Sequence, residues 1–362
     1  MDCKKFERWN LVLKENLNKI ISKELNYQNA KSLFAEIVMA KKNNELGELC
    51  FECETCLDFN YYFSMLDKYV KKEYDEKELK IRIYEYHKLE VYGKYSNVLK
   101  MPNITEEDFK IEGEFDNSKL IVYFDMNVVN QYIDDKEFKE LVFSSKNRLA
   151  YAYSPSHMEE ISRMNSKHRV EYIVKLTNNL VMLPRGENII KVYENPEKSL
   201  ERIAKIPEFN NAVEQVRLAK NQEAEVYFPE FREQKHTRRV NNENVFSFYE
   251  SEFNKIFMRQ GRTYKISELR KGVKLSERDD IIECLYGAMD ILSFWRDKGE
   301  RKIKSGVYDI EHLKYGSWSN IFVTIDGSLA NRATEIFQLI NISVDVMRIE
   351  DFKKYLIEKI NI

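Results

Sequence analysis

The sequence predicts an α/β fold in which a parallel central sheet is flanked by helices. Short apolar runs rich in β-branched and aromatic residues alternate with amphipathic segments after about residue 116, a pattern typical of helix-covered parallel sheets. The 362 residues include only 11 glycines and 6 prolines, which favours helices over long linkers. Residues 1–115 lack the strand-like runs, and we predict a mainly helical N-terminal accessory region there.

The N-terminal region carries helical periodicity along most of its length. "FERWNLVLKENLNKIISKEL" places apolar residues three and four positions apart, and the Tyr-rich residues 61–92 continue an amphipathic pattern. The segment 101–119, "MPNITEEDFKIEGEFDNSK", is polar and rich in turn-forming residues. We therefore predict a domain boundary there, with the second domain covering 116–362.

Five apolar runs in the second domain are predicted to form strands. Helical patterns follow them, and Pro155 suits the first turn of a helix because its missing N–H has no intrahelical partner there. Residues 185–300 are predicted to form a long helical insertion that ends in an amphipathic helix at 277–298. The runs are "KLIVYF" from 119, "RLAYAY" from 148, "NLVMLP" at 179–184, "NIFVT" from 320 and "SVDVM" from 343.

Composition excludes several classes of protein. No apolar run approaches the roughly 18 residues that a membrane span needs, and the start "MDCKKFERWN" lacks the apolar core of a secretory signal. We expect a cytoplasmic protein with no membrane association. The net charge of −2 means that nucleic-acid binding would need a local basic surface, for which "KHTRR" (235–239) and "RQGR" (259–262) are candidates.

Three of the five cysteines lie close together in the sequence. Cys50, Cys53 and Cys56 form "CFECETC", whereas Cys3 and Cys284 lie far away, so a disulfide framework is not expected. The three thiols could contribute to a zinc or iron–sulfur site, but no nearby fourth Cys or His completes a set. Their spacing also suits one helix face, and we interpret them as small buried hydrophobic side chains.

Acidic residues stand where the predicted strands end. The carboxyl ends of parallel strands form one edge of the sheet, beside which ligands bind. Asp125 and Asp326 each end a predicted strand, Glu160 lies early in the helix after the second strand, and Asp309 opens the predicted helix "DIEHLKYGSW" that leads to the strand ending at Asp326. Four carboxylates at one edge would repel each other unless a hard cation such as Mg²⁺ or Mn²⁺ balanced them.

Each acid also has a structural interpretation. Asp326 before Gly-Ser could cap a helix, and Asp125 with Asn127 could form an Asx-type turn. Glu160 and Glu159 could be favourable charges at a helix N-terminus. The joint placement of the four acids, rather than any single one, favours a metal site.

The order of four motifs resembles that of PIN-domain nucleases. The motifs are "YFDMNVV", "YSPSHMEEI", "VYDIEHLKYGSW" and "IFVTIDGSLANRA", and the resemblance covers roughly 119–184 and 300–350. In that family a Thr-x-Asp ends the strand that carries the last acid. The resemblance implies that the catalytic and metal-binding residues are Asp125, Glu160, Asp309 and Asp326, with Thr324 as the associated hydroxyl.

The family implies a metal-dependent endonuclease, a hydrolase that cleaves phosphodiester bonds of RNA or single-stranded DNA with Mg²⁺ or Mn²⁺. RNA is the favoured partner, and a bacterial toxin or defence role follows by analogy alone. The alternative is a catalytically weak PIN-like scaffold that binds nucleic acid or, through its N-terminal region, a protein; a homo-oligomer is compatible with both. A haloacid-dehalogenase-type phosphatase would need a second Asp where "FDMNV" has Asn127.

Several further residues are candidates for supporting roles. Asn127, Thr324, Asn320 and Arg332 could hold a ligand or contact substrate phosphate. Glu159 competes with Glu160, and Asp290 in "GAMDILSF" competes with Asp309 for the third acidic position. His157 and His312 each lie three residues from a proposed acid, where they could orient a carboxylate or simply pack.

Overall fold

A computed structural model gives the fold, which divides into two compact units. Of the described residues, 4–94 and 226–229 belong to the first unit and the others to the second. The division therefore lies near residue 94 rather than near 115. The described residues are 4–43, 45–46, 49–50, 53–99, 104–206, 208, 211–212, 215–216, 226–232, 244–295 and 300–360.

The first unit is helical, as the periodicity predicts. Its helices are α1 (Lys4–Ile21), α2 (Tyr27–Lys42), α3 (Glu54–Val70) and α4 (Glu76–Leu99), the last of which runs across the division. Asn26 caps α2 by accepting a hydrogen bond from the Asn29 N–H at 2.9 Å. Phe6, Phe59 and Leu66 are buried in a core shared by the helices. This core gives the first unit its own hydrophobic stabilisation.

The second unit contains two sheets. The strands are β1 (Gly113–Glu114), β2 (Leu120–Phe124), β3 (Leu149–Ala152), β4 (Leu180–Arg185), β5 (Asn188–Tyr193), β6 (Ile321–Thr324) and β7 (Asp345–Arg348). The helices after α4 are α5 (Met126–Asp134), α6 (Lys136–Ser145), α7 (Pro155–Arg163), α8 (Val170–Thr177), α9 (Pro196–Ala204), α10 (Pro229–Arg232), α11 (Val245–Phe248), α12 (Glu250–Arg259), α13 (Ile266–Leu269), α14 (Arg278–Ile291), α15 (Glu300–Gly316), α16 (Gly327–Leu339) and α17 (Ile349–Ile360).

The central sheet has the predicted parallel form. Its order is β3-β2-β6-β7, and every pairing is parallel. All four residues of β6 are buried, as are Ile121 to Phe124 of β2. Burial of successive residues, which point to opposite faces, shows that helices cover both sides of the sheet. The expected α/β architecture, with a helix-flanked parallel sheet, is confirmed.

A second, antiparallel sheet differs from the sequence prediction. Its order is β1-β5-β4, so "NLVMLP" is a strand as predicted but pairs with β5, inside the segment predicted as helical. Gly186, with φ +61°, holds the first position of the two-residue loop between β4 and β5, and glycine adopts positive φ without steric cost. The Gly-Glu loop lacks the common Asn-Gly signature, which is why the hairpin was not predicted.

The end of α15 lies very close to the central sheet. A Cβ atom added at Gly316 would lie 2.8 Å from Cδ2 of Phe322 in β6. Only glycine therefore allows the helix to approach the strand at this distance. This contact holds the end of α15 against β6, and it thereby positions the residues of α15 that lie near the sheet edge.

Two further expectations concern the helices. The predicted helix 277–298 is α14, which begins at Arg278 and ends at Ile291. The basic run 235–239 lies outside the described residues. Among the helices that are described, none combines the length and the apolar character that crossing a membrane requires.

Candidate functional site

Asp125 and Asp326 lie at the same edge of the central sheet, as predicted. Asp125 directly follows β2, and Asp326 lies two residues after Thr324, the end of β6. The two strands are parallel neighbours, and the Asp125 N–H continues their ladder by donating to the Val323 carbonyl at 3.1 Å. Residues that are 201 positions apart in the chain therefore meet because the sheet places β2 beside β6.

Thr324 connects the two acids. Its buried hydroxyl donates a hydrogen bond to Oδ2 of Asp125 and accepts the Asp326 N–H at 3.0 Å. The single Thr324 hydroxyl thus provides a hydrogen-bond partner for one acceptor atom of Asp125 and for the backbone N–H of Asp326. The family resemblance implied an associated hydroxyl at this position, and the observed contacts show that this hydroxyl fixes the orientation of the Asp125 carboxylate.

Both strand-end aspartates also cap helices. Oδ1 of Asp125 accepts the Val128 N–H at 2.8 Å at the start of α5, and Oδ1 of Asp326 accepts the N–H groups of Ser328 and Leu329 at 2.6 and 3.1 Å at the start of α16. The capping interpretation is thus correct for Asp326, and Asp125, for which an Asx-type turn was considered, is the N-cap of α5. Within the described part of the chain, Oδ2 of Asp326 makes no hydrogen bond.

Asp309 joins these two acids from α15. The helix begins at Glu300, so Asp309 lies in its middle and, contrary to the sequence prediction, does not open it. From Asp309 to Gly316 the helix rises about 10 Å, which is comparable to the length of the adjacent strand. Because α15 runs back toward the amino end of β6, this rise brings Asp309 level with the carboxyl edge.

Burial and like charge change the acidity of this group. Burial, with the fields of Asp326 and Asp125, raises the pKa of Asp309 to about 7. Burial likewise raises the pKa of Asp125 to about 6, against the stabilising hydrogen bonds from Thr324 and Val128. The carboxylates therefore share one electrostatic environment. The Tyr286 hydroxyl donates a long hydrogen bond of 3.5 Å to Oδ2 of Asp309.

Glu160 is held by His312. Nε2 of His312 donates to Oε1 of Glu160 at 2.6 Å, and a guanidinium nitrogen of Arg163 lies 3.7 Å from Oε2. Burial lowers the pKa of His312, but the Glu160 hydrogen bond and the fields of Glu160, Asp125 and Asp309 outweigh it, so the pKa is raised overall. His312 therefore orients a carboxylate, one of the two roles considered for it.

A buried chain of hydrogen bonds extends from His312 to the end of β2. Nδ1 of His312 lies 2.8 Å from the Tyr123 hydroxyl, which lies 2.7 Å from Oγ of Ser154. The Ser154 N–H donates to Nδ1 of His157 at 3.1 Å, and Nε2 of His157 donates to the Phe124 carbonyl at 2.9 Å. With His157 neutral, donating from Nε2 and accepting at Nδ1, every donor in this chain has an acceptor.

Tyr123 and Ser154 were not predicted from the sequence as site residues. Tyr123 belongs to the buried strand β2 and Ser154 caps α7, so each has an ordinary local interpretation. Their only sequence signal was a polar group inside an apolar run, because a buried hydroxyl needs a partner. That partner, His312, lies 189 residues from Tyr123.

The structure corrects the interpretation of Arg332. This residue was a candidate substrate contact, but its guanidinium is buried, donates to the Phe294 carbonyl at 3.2 and 2.8 Å, and lies 4.4 Å from the Tyr286 ring. It also lies 3.5 Å from Oδ1 of Asp290. The partners of the Arg332 guanidinium therefore lie inside the protein. Asp290, the competitor for the third acidic position, pairs with this guanidinium. Asp309 interacts with Asp125 and Asp326, and the field of Arg332 also acts on it, lowering its pKa against the effect of burial.

Asn320 lies at the wrong edge of the sheet for a substrate contact. It precedes β6, and its Oδ1 accepts the Ile121 N–H at 2.8 Å. β6 separates it from the acids by about 13 Å, four residues at the usual rise per residue. Asn127 is exposed in the first turn of α5, and Glu159 is half-buried beside Glu160 on α7. Of the basic run 259–262, Arg259 forms an ion pair with Glu230.

The carboxylates are suitable ligands for a hard divalent cation, but their oxygen atoms do not surround a single point. Among the described residues, the ligand atoms of three or more His, Cys, Asp or Glu lie within 4.8 Å of one another only at Cys50, Cys53 and Cys56. Carboxylate oxygens are the donors that Mg²⁺ and Mn²⁺ prefer. The pKa values of Asp125 and Asp309 are raised mainly by burial, which disfavours their charged forms, and a bound cation would offset that effect. Side-chain rotation would be needed to bring the oxygens to one ion.

Comparisons with protein-family models, with curated proteins and with solved structures found no match. The order of the sequence motifs and the geometry of this edge are therefore the features that bear on function. That geometry unites Asp125, Thr324, Asp309 and Asp326, and it places the Glu160–His312 pair within their electrostatic reach.

Proposed function

We propose that the protein is a PIN-like, metal-dependent endonuclease that hydrolyses phosphodiester bonds of RNA or single-stranded DNA. The observation that supports this proposal best is the shared environment of Asp125, Asp309 and Asp326 at the carboxyl edge of a parallel sheet. Burial and two like charges raise the pKa of this third carboxyl group to about 7, although the fields of His312 and Arg332 act in the opposite direction, and a strongly shifted pKa is typical of functional sites. The position is costly to the fold unless a ligand compensates.

Asp125, Asp309 and Asp326 would hold the Mg²⁺ or Mn²⁺ ion, with Glu160 as the fourth acid. When bound, such an ion supplies positive charge at the phosphate and makes its bound water more acidic. Thr324 keeps the Asp125 carboxylate in a fixed orientation through its hydroxyl.

His312 has two effects on this group of acids. Its hydrogen bond orients the carboxylate of Glu160. Its positive charge also lowers the pKa values of Asp125 and Asp309, opposing the larger effect of burial. The ionised, ligating forms of the acids are thereby favoured near neutral pH.

Cleavage by purified full-length protein tests the proposal directly. Labelled RNA and single-stranded DNA are incubated with and without Mn²⁺, using wild type, Asp309→Asn and Asp326→Asn. Asn is as good a helix cap as Asp, so Asp326→Asn removes charge and keeps α16. We expect Mn²⁺-dependent cleavage that falls at least about 100-fold in both variants, the upper end of the losses known for outer-shell changes at metal sites.

A matched control separates ligation from capping. Asp135 caps α6 by accepting the Phe138 N–H at 3.0 Å, and it pairs with Lys353 away from the sheet edge. Asp135→Asn should retain wild-type cleavage. Equal residual activity in Asp309→Asn and wild type would contradict the proposal, because the activity would then come from a contaminant or another site.

A non-catalytic PIN-like scaffold is the second candidate, and one observation favours it. Asp125 and Asp326 cap helices, Glu160 pairs with His312 and Asp309 accepts a long hydrogen bond from Tyr286, so all four acids already have structural contacts. A scaffold would bind nucleic acid or a protein partner without cleaving it. Wild type that binds labelled RNA in a mobility-shift assay but shows no Mn²⁺-dependent cleavage would favour this candidate.

A further inference from the structure

The three-cysteine group in the first unit is drawn together in space. The Sγ atoms of Cys50, Cys53 and Cys56 all lie within 4.8 Å of one another. Cys56 is buried, whereas Cys50 and Cys53 are partly exposed. The interpretation as small buried hydrophobic side chains is therefore confirmed for Cys56, while Cys50 and Cys53 are partly buried and pack against the same core. The proposed nuclease function makes no use of this group.

Backbone amides are directed at two of the sulfur atoms. The Cys53 N–H donates to Sγ of Cys50 at 3.3 Å, and the Cys56 N–H donates to Sγ of Cys53 at 3.4 Å. Hydrogen bonds to an ionised acceptor are stronger than those to a neutral one. The same atoms lie at the N-terminus of α3, where the helix dipole stabilises negative charge. Two of the three sulfur atoms thus accept backbone hydrogen bonds of the kind that also support thiolate ligands at metal sites.

Capping does not explain the choice of sulfur. Cys53 holds the N-cap position of α3 and accepts a hydrogen bond there, a role for which Ser, Thr, Asp and Asn are strongly preferred. An oxygen-bearing residue would cap the helix better. A cysteine at this position, with two more cysteine sulfurs beside it, is explained if the three cysteines bind a metal.

The spacing of the sulfur atoms selects the kind of metal. With Zn–S bonds of about 2.3 Å, two thiolates in a tetrahedral site lie about 3.8 Å apart, within the observed limit. The cysteines of a four-iron cluster bind different iron atoms and lie farther apart. Hard ions such as Mg²⁺ prefer oxygen to thiolate.

We propose that Cys50, Cys53 and Cys56 bind one Zn²⁺ ion, with a water molecule in the fourth tetrahedral position. Each thiol gives up one proton when its Zn–S bond forms, so binding releases three protons and involves no change of oxidation state. The ion would join the residues before α3 to the first turn of that helix. This site is independent of the acids at the sheet edge.

Metal content of the full-length protein tests the proposal. Protein purified without chelators and then desalted should contain about one zinc per chain by plasma mass spectrometry. Cys53→Ser should reduce this content at least tenfold, while Ser keeps the cap of α3. Cys284→Ser is the matched control, because Cys284 lies on α14 in the second unit, and it should leave the zinc content unchanged.

A cobalt titration of wild type makes the result independent of how the variants fold. Chelator-treated protein should show a thiolate-to-cobalt charge-transfer band and the intense visible bands of tetrahedral cobalt, which saturate at one equivalent and disappear when zinc is added. Less than about a tenth of an equivalent of zinc together with no cobalt band would overturn the proposal. Zinc retained by Cys53→Ser, or iron found in place of zinc, would also overturn it.

Discussion

Asp309 shows how strongly position alters a single carboxyl group. Its folded-state pKa of about 7 lies far above the ordinary value of 3.8. The folded protein therefore binds this proton more tightly than the unfolded chain does. The resulting stabilisation is fully present below the unfolded pKa near 4, and it is lost as the pH rises through 7. In metal-free buffer at neutral pH, the ionised group thus weakens the fold.

We expect Asp309→Asn to stabilise the metal-free protein, because the amide carries no charge and removes the repulsion from Asp125 and Asp326. The gain in melting temperature should be small at pH 5 and about 2–6 °C at pH 8, the shift expected for 1–2 kcal/mol in a domain of this size. Thermal melts in chelating buffer at both pH values measure it. A variant that melts below wild type at pH 8 would show that Asp309 is a favourable structural partner instead.

Removing the Thr324 hydroxyl should destabilise the protein, the opposite of the effect expected for Asp309→Asn. Thr324→Val keeps the side-chain shape but leaves Oδ2 of Asp125 and the N–H of Asp326 without their partner. Since both lie in buried or partly buried positions, we expect a loss of about 1–3 kcal/mol in the free energy of unfolding. Urea denaturation measures it. Thr324→Ser, which retains the hydroxyl, should recover more than half of the loss, and equal stability of the Val and Ser variants would contradict this reasoning.

At the scale of elements, the contact between α15 and β6 positions both Asp309 and His312. Gly316 makes the contact possible, because its missing Cβ leaves room for the Phe322 ring. Four residues before Gly316 on the same helix, His312 reaches Glu160 on α7 and Tyr123 on β2. One helix end packed tightly on a strand thus determines where two site residues lie.

Gly316→Ala should test that dependence. The new methyl group would lie 2.8 Å from the Phe322 ring, so the helix end must shift, and we expect destabilisation of about 1–3 kcal/mol. Gly287→Ala on α14 is the control, since its Cβ would have no neighbour within 4 Å and helix propensity predicts a gain of up to about 1 kcal/mol. Both values come from denaturant unfolding. A stabilised Gly316→Ala would mean that α15 is free to move.

At the scale of the whole molecule, two metal sites of different chemistry are proposed in separate units. The sheet edge in the second unit offers carboxylates, and the start of α3 in the first unit offers thiolates. Hard and soft donors select different ions, so Mn²⁺ at the acids and Zn²⁺ at the sulfurs need not compete.

We expect that a substitution that abolishes metal binding at one site leaves metal binding at the other site intact. At 100 times its dissociation constant, Mn²⁺ should stabilise wild type by about 2.7 kcal/mol. Asp326→Asn should lose this effect and keep its zinc, whereas Cys53→Ser should lose its zinc and keep the Mn²⁺ response. Melting curves with and without Mn²⁺, paired with metal analysis, measure both properties. A Cys53→Ser variant that loses the Mn²⁺ response with native circular dichroism would contradict independence.

The predictable part of this fold has local causes. Apolar runs long enough for a strand identified β2, β3, β6 and β7, and the placement of Asp125 and Asp326 followed from parallel pairing alone. The hairpin of β4 and β5 was missed because its loop carries no strong turn signature. Arg332 was misassigned because its neighbours Phe294 and Tyr286 lie at least 38 positions away in the sequence, and burial by distant residues leaves no local pattern.

The sequence by itself determined the helix-flanked parallel sheet and the edge at which its acids meet, because side-chain period and strand ends are local properties of the chain. Tertiary structure alone decided which groups touch. It joined Thr324 to Asp125, His312 to Glu160 and Tyr123, and the three cysteine sulfurs to one another. Such contacts depend on how elements pack in three dimensions, and burial then sets the pKa values that the sequence could not supply.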